Sequence, residues 1–130
     1  MINTNIYNYI NVLDKAADAA NSRNEIISNN IANVGTPNYK RKDVSFQSYL
    51  EMALMGNESL DERVAGVNTH LSDFGGLIYT DSSTLSYRLD GNNVDIDTEN
   101  AALAENQIRY NALLDQIGQE FARYKMVLSK

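Results

Sequence analysis

The chain has 130 residues, of which 43% are hydrophobic and 22% are charged, and its formal net charge is −6. This length suits about one domain, and the hydrophobic fraction excludes a wholly disordered chain. The acidic balance argues against a sequence-independent nucleic-acid binder, which needs clustered lysine and arginine. The chain has no cysteine and a single histidine, His70, so disulfides, thiolate chemistry and a multi-histidine metal site are excluded.

No run of apolar residues is long enough for a transmembrane helix or for the apolar core of a secretory signal peptide. The uninterrupted apolar runs are short, such as 52–55. We therefore expect that any export from the cytoplasm uses a route that does not read a Sec-type signal.

The N-terminal quarter of the chain carries a heptad pattern, in which apolar residues recur at alternating steps of four and three. This spacing is typical of a helix that packs one narrow stripe, or seam, against another helix. The predicted seam comprises Ile6, Ile10, Leu13, Ala17, Ala20, Asn24, Ile27, Ile31 and Val34. Its one polar member is Asn24. Gly35, Thr36 and Pro37 are expected to end this helix, with the glycine as its C-cap.

The middle of the chain has a different pattern. Residues 43–55 show helical spacing, with Phe46 and Leu50 on one face, and residues 60–72 are weakly patterned. The stretch 75–97 is predicted to contain one short strand, or two that pair as a hairpin. The signal is the β-branched and aromatic residues at 77–79, 85–89 and 94–96. Residues 90–93 are predicted to form a turn.

The C-terminal part repeats the heptad pattern. Its predicted seam comprises Leu103, Gln107, Tyr110, Leu114, Ile117, Phe121, Tyr124 and Leu128. A helix over 98–128 is about 45 Å long, with Asp97 or Thr98 as its N-cap and Glu99 in its first turn. Because the two seams match in length, we expect the terminal helices to pair with each other.

These patterns predict a mainly α fold in which long N- and C-terminal helices pair as a coiled coil around a small irregular or β-containing middle region. The expected segments are 1–36, 37–97 and 98–130, together one structural domain. Some apolar residues lie off the seams and need another partner, namely Tyr7, Val12, Ala16, Ile26, Ile108, Leu113 and Val127. They suggest a subunit that packs against copies or relatives of itself.

Candidate chemistry is sparse. Asp90, Asn92, Asp95 and Asp97 are spaced like the ligands of a calcium loop. However, the EF-hand pattern needs an acidic or amide residue followed by glycine where this chain has Val94 and Asp95. A turn followed by a helix cap explains these residues better. No nucleophile, base and acid combine into a catalytic set, so we expect neither an enzyme nor a cofactor.

The most specific motif lies where the first helix is predicted to end. It comprises Asn29, Asn30, Ala32, Asn33, Thr36, Pro37, Tyr39, Lys40 and Arg41. Asparagine side chains can cap the last carbonyl groups of a helix and hydrogen-bond the following turn. Pro37 presets its own φ, and Asn38 tolerates the positive φ that a type II turn requires.

This motif resembles the signature of the bacterial flagellar axial proteins of the rod and hook. A second match comprises Asp90, Gly91, Asn92, Asn93, Val94 and Asp95, and the similarity continues through 103–107 and 110–113. The resemblance covers nearly everything except about 55–87, and within the family it is strongest to the proximal rod proteins. The family usually has glycine after the proline, where this chain has Asn38.

The resemblance implies a structural subunit of the proximal rod, exported by the flagellar type III pathway without a cleaved signal. Its terminal helices would be largely disordered before assembly and would form an inner coiled-coil layer afterwards. The implied partners are copies of itself, other proximal rod proteins, the rod–ring junction protein and the export gate, with no nucleic acid or small-molecule substrate. The alternatives are a cytoplasmic helical adaptor or export-chaperone-like module, or another rod component.

Overall fold

A computed structural model describes residues 5–70, 78–82 and 88–129 of the chain. Its elements are α1 (Asn5–Ala32), β1 (Lys42–Val44), α2 (Phe46–Leu54), α3 (Leu60–Thr69), β2 (Ile78–Thr80) and α4 (Ile96–Leu128). The predicted fold class is confirmed, because the two long terminal helices pack together and a two-stranded sheet lies in the middle region. None of the helices in the described ranges combines the length and apolarity that crossing a bilayer requires.

The helices α1 and α4 run antiparallel and face each other along their seams. Near one end, Tyr7 stacks against Tyr124 with 5.5 Å between the ring centroids, and near the other end Asn30 hydrogen-bonds Glu99. The α1 seam is buried or half-buried at Ile10, Leu13, Ala17, Ala20, Asn24, Ile27 and Ile31. The side chain of Ile6 lies outside the described ones.

The polar seam member of α1, Asn24, has a polar partner on α4. The side-chain amide of Asn106 donates to Asn24 Oδ1 at 2.8 Å and to the carbonyl oxygen of Ala20 at 2.7 Å. Asn106 is buried, so sliding one helix along the other would leave these amides without partners. A polar contact of this kind favours a single register.

On α4 the buried stripe shares every second residue with the predicted seam, and at the positions between them it uses the residue one place earlier in the sequence. Leu103, Tyr110, Ile117 and Tyr124 are half-buried, and they alternate with Asn106, Leu113 and Glu120. The predicted Gln107, Leu114, Phe121 and Leu128 are instead exposed. The two adjacent leucines at 113 and 114 explain why the predicted seam is displaced. Each of them fits a repeat of four and three, so spacing alone does not show which one faces α1.

The middle region packs on a second face of α1. Its core consists of Val12, Phe46, Val64 and Val67, with Tyr9, Ala16, Ala19, Val44, Leu50, Ala53 and Leu54 packed around it. The expectation that off-seam apolar residues need another molecule is therefore wrong for Val12 and Ala16, and Ile26 is buried as well. For Ile108 and Val127, which are exposed, it stays a prediction, as it does for Tyr7, which is about half-exposed and contacts Tyr124.

The sheet does not form the predicted hairpin within 75–97. Strand β2 pairs antiparallel with β1, with Asp43 opposite Tyr79, and β1 occupies the start of the stretch predicted as helical. The predicted strand at 94–96 is wrong, because Ile96 begins α4. Most of the predicted strand at 85–89 lies outside the described residues.

A helix also forms where the sequence is weakly patterned. In α3, Ser59 Oγ accepts from the amide of Glu62 at 3.3 Å, and the Glu62 carboxylate accepts from the amide of Ser59 at 3.1 Å. This reciprocal capping box satisfies two amide groups that a helix start otherwise leaves without partners.

The position of the seam on α4 can be tested with two matched variants. Ile117→Asp should lower the free energy of unfolding by about 2 kcal/mol or more, because a charge enters the half-buried seam. Leu114→Asp, on the exposed side, should change it by less than about 0.5 kcal/mol. Urea unfolding followed by circular dichroism measures both, and equal losses would contradict the observed seam.

Candidate functional site: the helix-end junction

The two predicted motifs meet where α1 ends and α4 begins, and we call this region the helix-end junction. It comprises residues 30–43, the loop 88–95 and the first turn of α4. Chain segments that are distant in sequence are joined here, as by the hydrogen bond from the amide of Asn38 to the carbonyl oxygen of Asp90, 52 residues further along the chain, at 2.8 Å. The junction is therefore built from side chains and backbone groups of both halves of the chain.

The turn after α1 has the predicted conformation. Asn38 has a φ of +62°, and the amide of Tyr39 donates to the carbonyl oxygen of Thr36 at 3.3 Å. Gly91 lies against this turn with a φ of +75°, and a Cβ placed there would approach Asn38 Oδ1 to 2.6 Å. Gly91 is therefore required both by its backbone conformation and by the close approach of the turn.

The end of α1 is capped from the other half of the chain. The side-chain amide of Asn92, which is fully buried, donates to the carbonyl oxygens of Asn33, Val34 and Thr36 at 2.9, 3.1 and 2.9 Å. The guanidinium of Arg88 adds a hydrogen bond to the carbonyl oxygen of Val34 at 2.7 Å. The carbonyl groups that a helix end leaves unpaired are thus satisfied by the loop before α4.

Two predicted caps are wrong. Gly35 does not adopt the positive φ of a glycine C-cap, and Asn92 takes over that role. At the start of α4, the N-cap is Asp95 and not Asp97 or Thr98. The Asp95 carboxylate accepts from the amides of both of those residues, at 3.0 and 3.3 Å.

Asn30 connects three elements through one side chain. Its amide nitrogen donates to the carbonyl oxygen of Lys42 at 2.8 Å and to Glu99 Oε2 at 3.0 Å. Its Oδ1 accepts from the amide of Lys42 at 3.0 Å and from the Tyr39 hydroxyl at 3.2 Å. Asn30 is fully buried and uses its whole hydrogen-bonding capacity, so it fixes α1, β1 and α4 relative to one another.

The charged groups of the junction form a linked cluster. Glu99, which is 1% exposed, accepts from Arg41 Nε at 2.8 Å. Arg41 also contacts Asp43 at 3.1 Å and Asp81 at 3.4 Å. Asp43 in turn accepts two hydrogen bonds from Arg23, at 2.8 and 3.2 Å. A buried carboxylate is tolerated only when it is paired in this way.

The environment keeps Arg41 and Asp43 ionised. Burial alone would lower the pKa of Arg41, but the hydrogen bond and charge of Glu99, with those of Asp43, outweigh it and raise the pKa. Burial would likewise raise the pKa of Asp43, but hydrogen bonds from Arg23 and the Val44 amide, and the Arg23 charge, lower it below its ordinary value. These side chains are committed to ion pairs, which suits a structural role.

The remaining motif residues have structural roles or lie at the surface. Asn93 Oδ1 accepts from the amide of Arg41 at 2.8 Å, and its side-chain amide donates to the carbonyl oxygen of Asp81 at 3.0 Å. Lys40 donates to the carbonyl oxygen of Gly91. Val94 is buried, whereas Asn29, Ala32 and Pro37 are exposed.

Sequence reasoning misses three charged residues of the junction, Asp43, Arg88 and Glu99, and two that pair with it from outside, Arg23 and Asp81. From the sequence, Glu99 is predicted only to lie in the first helical turn. It lies four residues before Leu103, in step with the observed buried stripe but not with the predicted seam, whose spacing places Asn100 there. The need of this carboxylate for a buried cation therefore becomes visible only once the observed stripe on α4 is known. Arg23 and Asp43 carry no such signal, because their pairing depends on the fold of β1 against α1.

Comparisons with known proteins agree with this geometry. A family model described as "Flagella basal body rod protein" matches residues 10–40, which span most of α1 and the turn. The chain is 39% identical over 117 residues to the flagellar basal body rod protein FlgB of Bacillus subtilis (strain 168), covering 90% of each protein. The chain belongs to the family of FlgB-type flagellar basal body rod proteins.

Other members of the family show the same relationship. FlgB of Borreliella burgdorferi is 37% identical over 121 residues, covering 85% of this chain and 88% of that protein. FlgB of Escherichia coli (strain K12) is 30% identical over 113 residues, covering 82% of each. This is a family of structural proteins of the flagellar rod and not an enzyme family.

The role of Asn30 can be tested against its exposed neighbour. Asn30→Ala should lower the free energy of unfolding by about 2–3 kcal/mol, because it removes the hydrogen bonds that Asn30 makes to the buried Glu99 carboxylate and to the backbone of Lys42. Asn29→Ala should change it by less than about 0.5 kcal/mol. Thermal or urea unfolding compares the two variants, and similar small effects of both would contradict a bridging role for Asn30.

The lowered pKa of Asp43 predicts how the fold responds to acid. Its contribution to stability is complete above its ordinary pKa of 3.8 and is lost as the pH falls through the lower folded-state value. Unfolding at a series of pH values between about 6 and 2 should show a smaller acid-induced loss for Asp43→Asn than for the parent. An equal fall in the free energy of unfolding of both proteins between about pH 6 and 2 would contradict the pairing of Asp43 with Arg23 and Arg41.

Proposed function

We propose that this chain is a structural subunit of the proximal rod, and that it assembles through the paired helices α1 and α4. The proposal is supported by the exposed apolar residues of α4. Leu114, Phe121 and Leu128 recur every seven residues and are 46%, 55% and 83% exposed. Such a repeat is a coiled-coil stripe that lacks a partner within the described chain, as an assembly surface would.

The proposal extends to export and to partners. The subunit leaves the cytoplasm through the flagellar type III pathway and contacts copies of itself, other proximal rod proteins, the rod–ring junction protein and the export gate. Family membership supports this assignment. In the assembled rod, the segments 1–36, 37–97 and 98–130 act as one structural domain, because the helix-end junction ties all three together through Asn30.

A motility assay tests the assembly role of the α4 stripe. In a flagellated host whose own gene for this rod protein is deleted, the parent chain should restore swimming. Phe121→Asp should fold, because the side chain is already exposed, but should fail to restore swimming, because it places a charge in the assembly surface.

Phe121→Leu is the matched control, since it keeps an apolar side chain at the same position, and it should restore swimming. Export measured separately shows whether the aspartate variant leaves the cytoplasm. Full swimming by the aspartate variant would contradict assembly through this stripe. Failure of the parent chain itself would contradict the rod function.

A further inference from the structure

A groove of about 640 Å³ opens between α1 and α4 on the side where β1 and α2 pack. Helix α1 contributes small side chains to it, namely Ala16, Ala19 and Ala20, whereas Leu50 of α2 and Leu113 of α4 supply larger apolar ones. Ligand pockets are concave and mostly apolar in this way, with a few polar groups that orient the ligand. The groove therefore has the size and lining of a binding site.

The groove is apolar at one end and polar at the other. Because α1 and α4 are antiparallel, with Asn106 donating to the carbonyl oxygen of Ala20, Leu113 lies toward the Ala16 end. Arg23 lines the opposite end. Ala16 and Arg23 are seven residues apart, which is about 10 Å along α1. An occupant must therefore present apolar groups and a polar group within about two helical turns.

The carboxylate that lines this groove has no acceptor position left for a ligand. Asp43 Oδ1 accepts from Arg23 Nε and from the amide of Val44. Its Oδ2 accepts from Arg23 Nη2 and from Arg41 Nη2. An ionised carboxylate has about four such positions, and all are used. A cationic ligand would therefore meet the arginines of the groove without an available counter-ion.

The groove does have unused donors and an unused acceptor. Among the described residues, Arg23 Nη1 and Arg109 Nε donate to no protein group. Asn106 is 1% exposed and donates to the carbonyl oxygen of Ala20 and to Asn24 Oδ1, yet its own Oδ1 accepts no hydrogen bond within the same ranges. Buried amide groups are ordinarily hydrogen-bonded, so this oxygen points to a partner that comes from outside the described chain.

Arg109 is the cation that a ligand can recruit. Its Nη1 donates to Gln47 Oε1, a neutral group, and its Nη2 donates to Glu105 Oε1 at 2.9 Å. The Glu105 side chain is 66% exposed, and an exposed ion pair of this kind contributes little to stability. Arg23, by contrast, is held by two hydrogen bonds to the buried Asp43. A carboxylate in the groove therefore competes only with a weak surface pair when it binds Arg109.

We propose that this groove binds an amphipathic helix of a partner protein, which places two apolar side chains one turn apart against Ala16 and Ala19 and a carboxylate against Arg109. Side chains one turn apart on a helix are about 5–6 Å from each other, so both of them and the carboxylate fit the length of the groove. An amide or hydroxyl side chain beside the carboxylate donates to Asn106 Oδ1. The net charge of −6 opposes a helix that is acidic along its whole length, so the carboxylate is confined to this position.

This surface is separate from the exposed stripe of α4. At 100° per residue, Arg109 lies on the other side of the seam from Leu114 and Phe121. The inference therefore does not rest on assembly through that stripe, and it adds a partner that docks beside the helix pair.

Binding of a synthetic probe to the full chain tests the proposal. The probe is a blocked, fluorescent helical peptide of alanine and glutamine, with two leucines one turn apart and one glutamate a further turn along. A second probe has glutamine in place of that glutamate. In fluorescence anisotropy, the chain should bind the glutamate probe about tenfold more tightly, which is the ratio expected for one hydrogen bond between charged groups.

Two arginine variants locate this preference. Arg109→Gln should abolish it, because the change removes the cation of the groove without touching the buried pair of Arg23 and Asp43. Arg123→Gln is the matched control, since Arg123 also lies on α4 and pairs with a glutamate one turn earlier, Glu120, outside the groove. The control should keep the preference to within about twofold.

Two alanine variants locate the apolar contact. Ala19→Leu, which fills the groove, should weaken the binding of both probes by about tenfold. Ala112→Leu, at an exposed position of α4, should change it by less than about twofold.

The outcomes separate the proposal from its alternatives. Absence of binding, equal binding of the two probes, a preference that survives in Arg109→Gln, or unchanged binding by Ala19→Leu would each overturn it. Tighter binding of a probe with lysine in place of the glutamate would overturn it too, as would self-association of the parent chain that Arg109→Gln dissolves, since that would assign the groove to a second copy. If the parent chain restores swimming while neither probe binds, this inference is wrong and the rod function stands; probe binding without restored swimming would mean the reverse.

Discussion

The carboxylate of Glu99 is the group on which the arrangement of this chain depends. It lies in the first turn of α4, is 1% exposed and is paired with Arg41 and hydrogen-bonded by Asn30. Removing one partner of a buried ion pair costs about 3–5 kcal/mol. The start of α4 is therefore held at the end of α1, and β1 is held with them because Lys42 shares Asn30. An apolar contact at this position would allow α4 to slide along α1, whereas the directional hydrogen bonds of Glu99 hold the two helices in one register.

The register that is set at the junction propagates along the helix pair. With α1 and α4 antiparallel and joined at Glu99, the next polar contact falls where Asn106 meets Asn24, and the aromatic contact of Tyr7 with Tyr124 follows near the far end. Small residues such as Ala17 and Ala20 fill the seam between these points. Because they bury little area, the polar contacts decide the register more than the apolar ones do.

The sequence predicts the two long helices and the short helix α2 well and the other short elements poorly, for physical reasons. Heptad spacing over α1 is an intrahelical signal, and the predicted positive φ of Asn38 follows from local turn chemistry; both are confirmed. The pairing of β1 with β2 joins three-residue strands across α2 and α3, and no local pattern encodes it. The sequence pattern does not predict α3, because its apolar spacing is weak, although Ser59 and Glu62 have the spacing of a capping box.

The heptad spacing of α4 predicts a contact with α1 for a stripe that the fold leaves exposed. Leu114, Phe121 and Leu128 fit a heptad as well as Leu113 does, since a helix with apolar residues on adjacent positions has two usable seams. A single sequence does not say which seam is used inside the molecule and which outside it. In the fold, α1 takes the seam that contains polar members able to pair with its own, Asn106 with Asn24 and Glu99 with Asn30. The seam left exposed is the more apolar one, and its polar member Gln107 accepts from Asn24 Nδ2 at 3.4 Å, a longer contact than the 2.8 Å between Asn106 and Asn24. A subunit that joins others by its long helices requires such an exposed apolar surface.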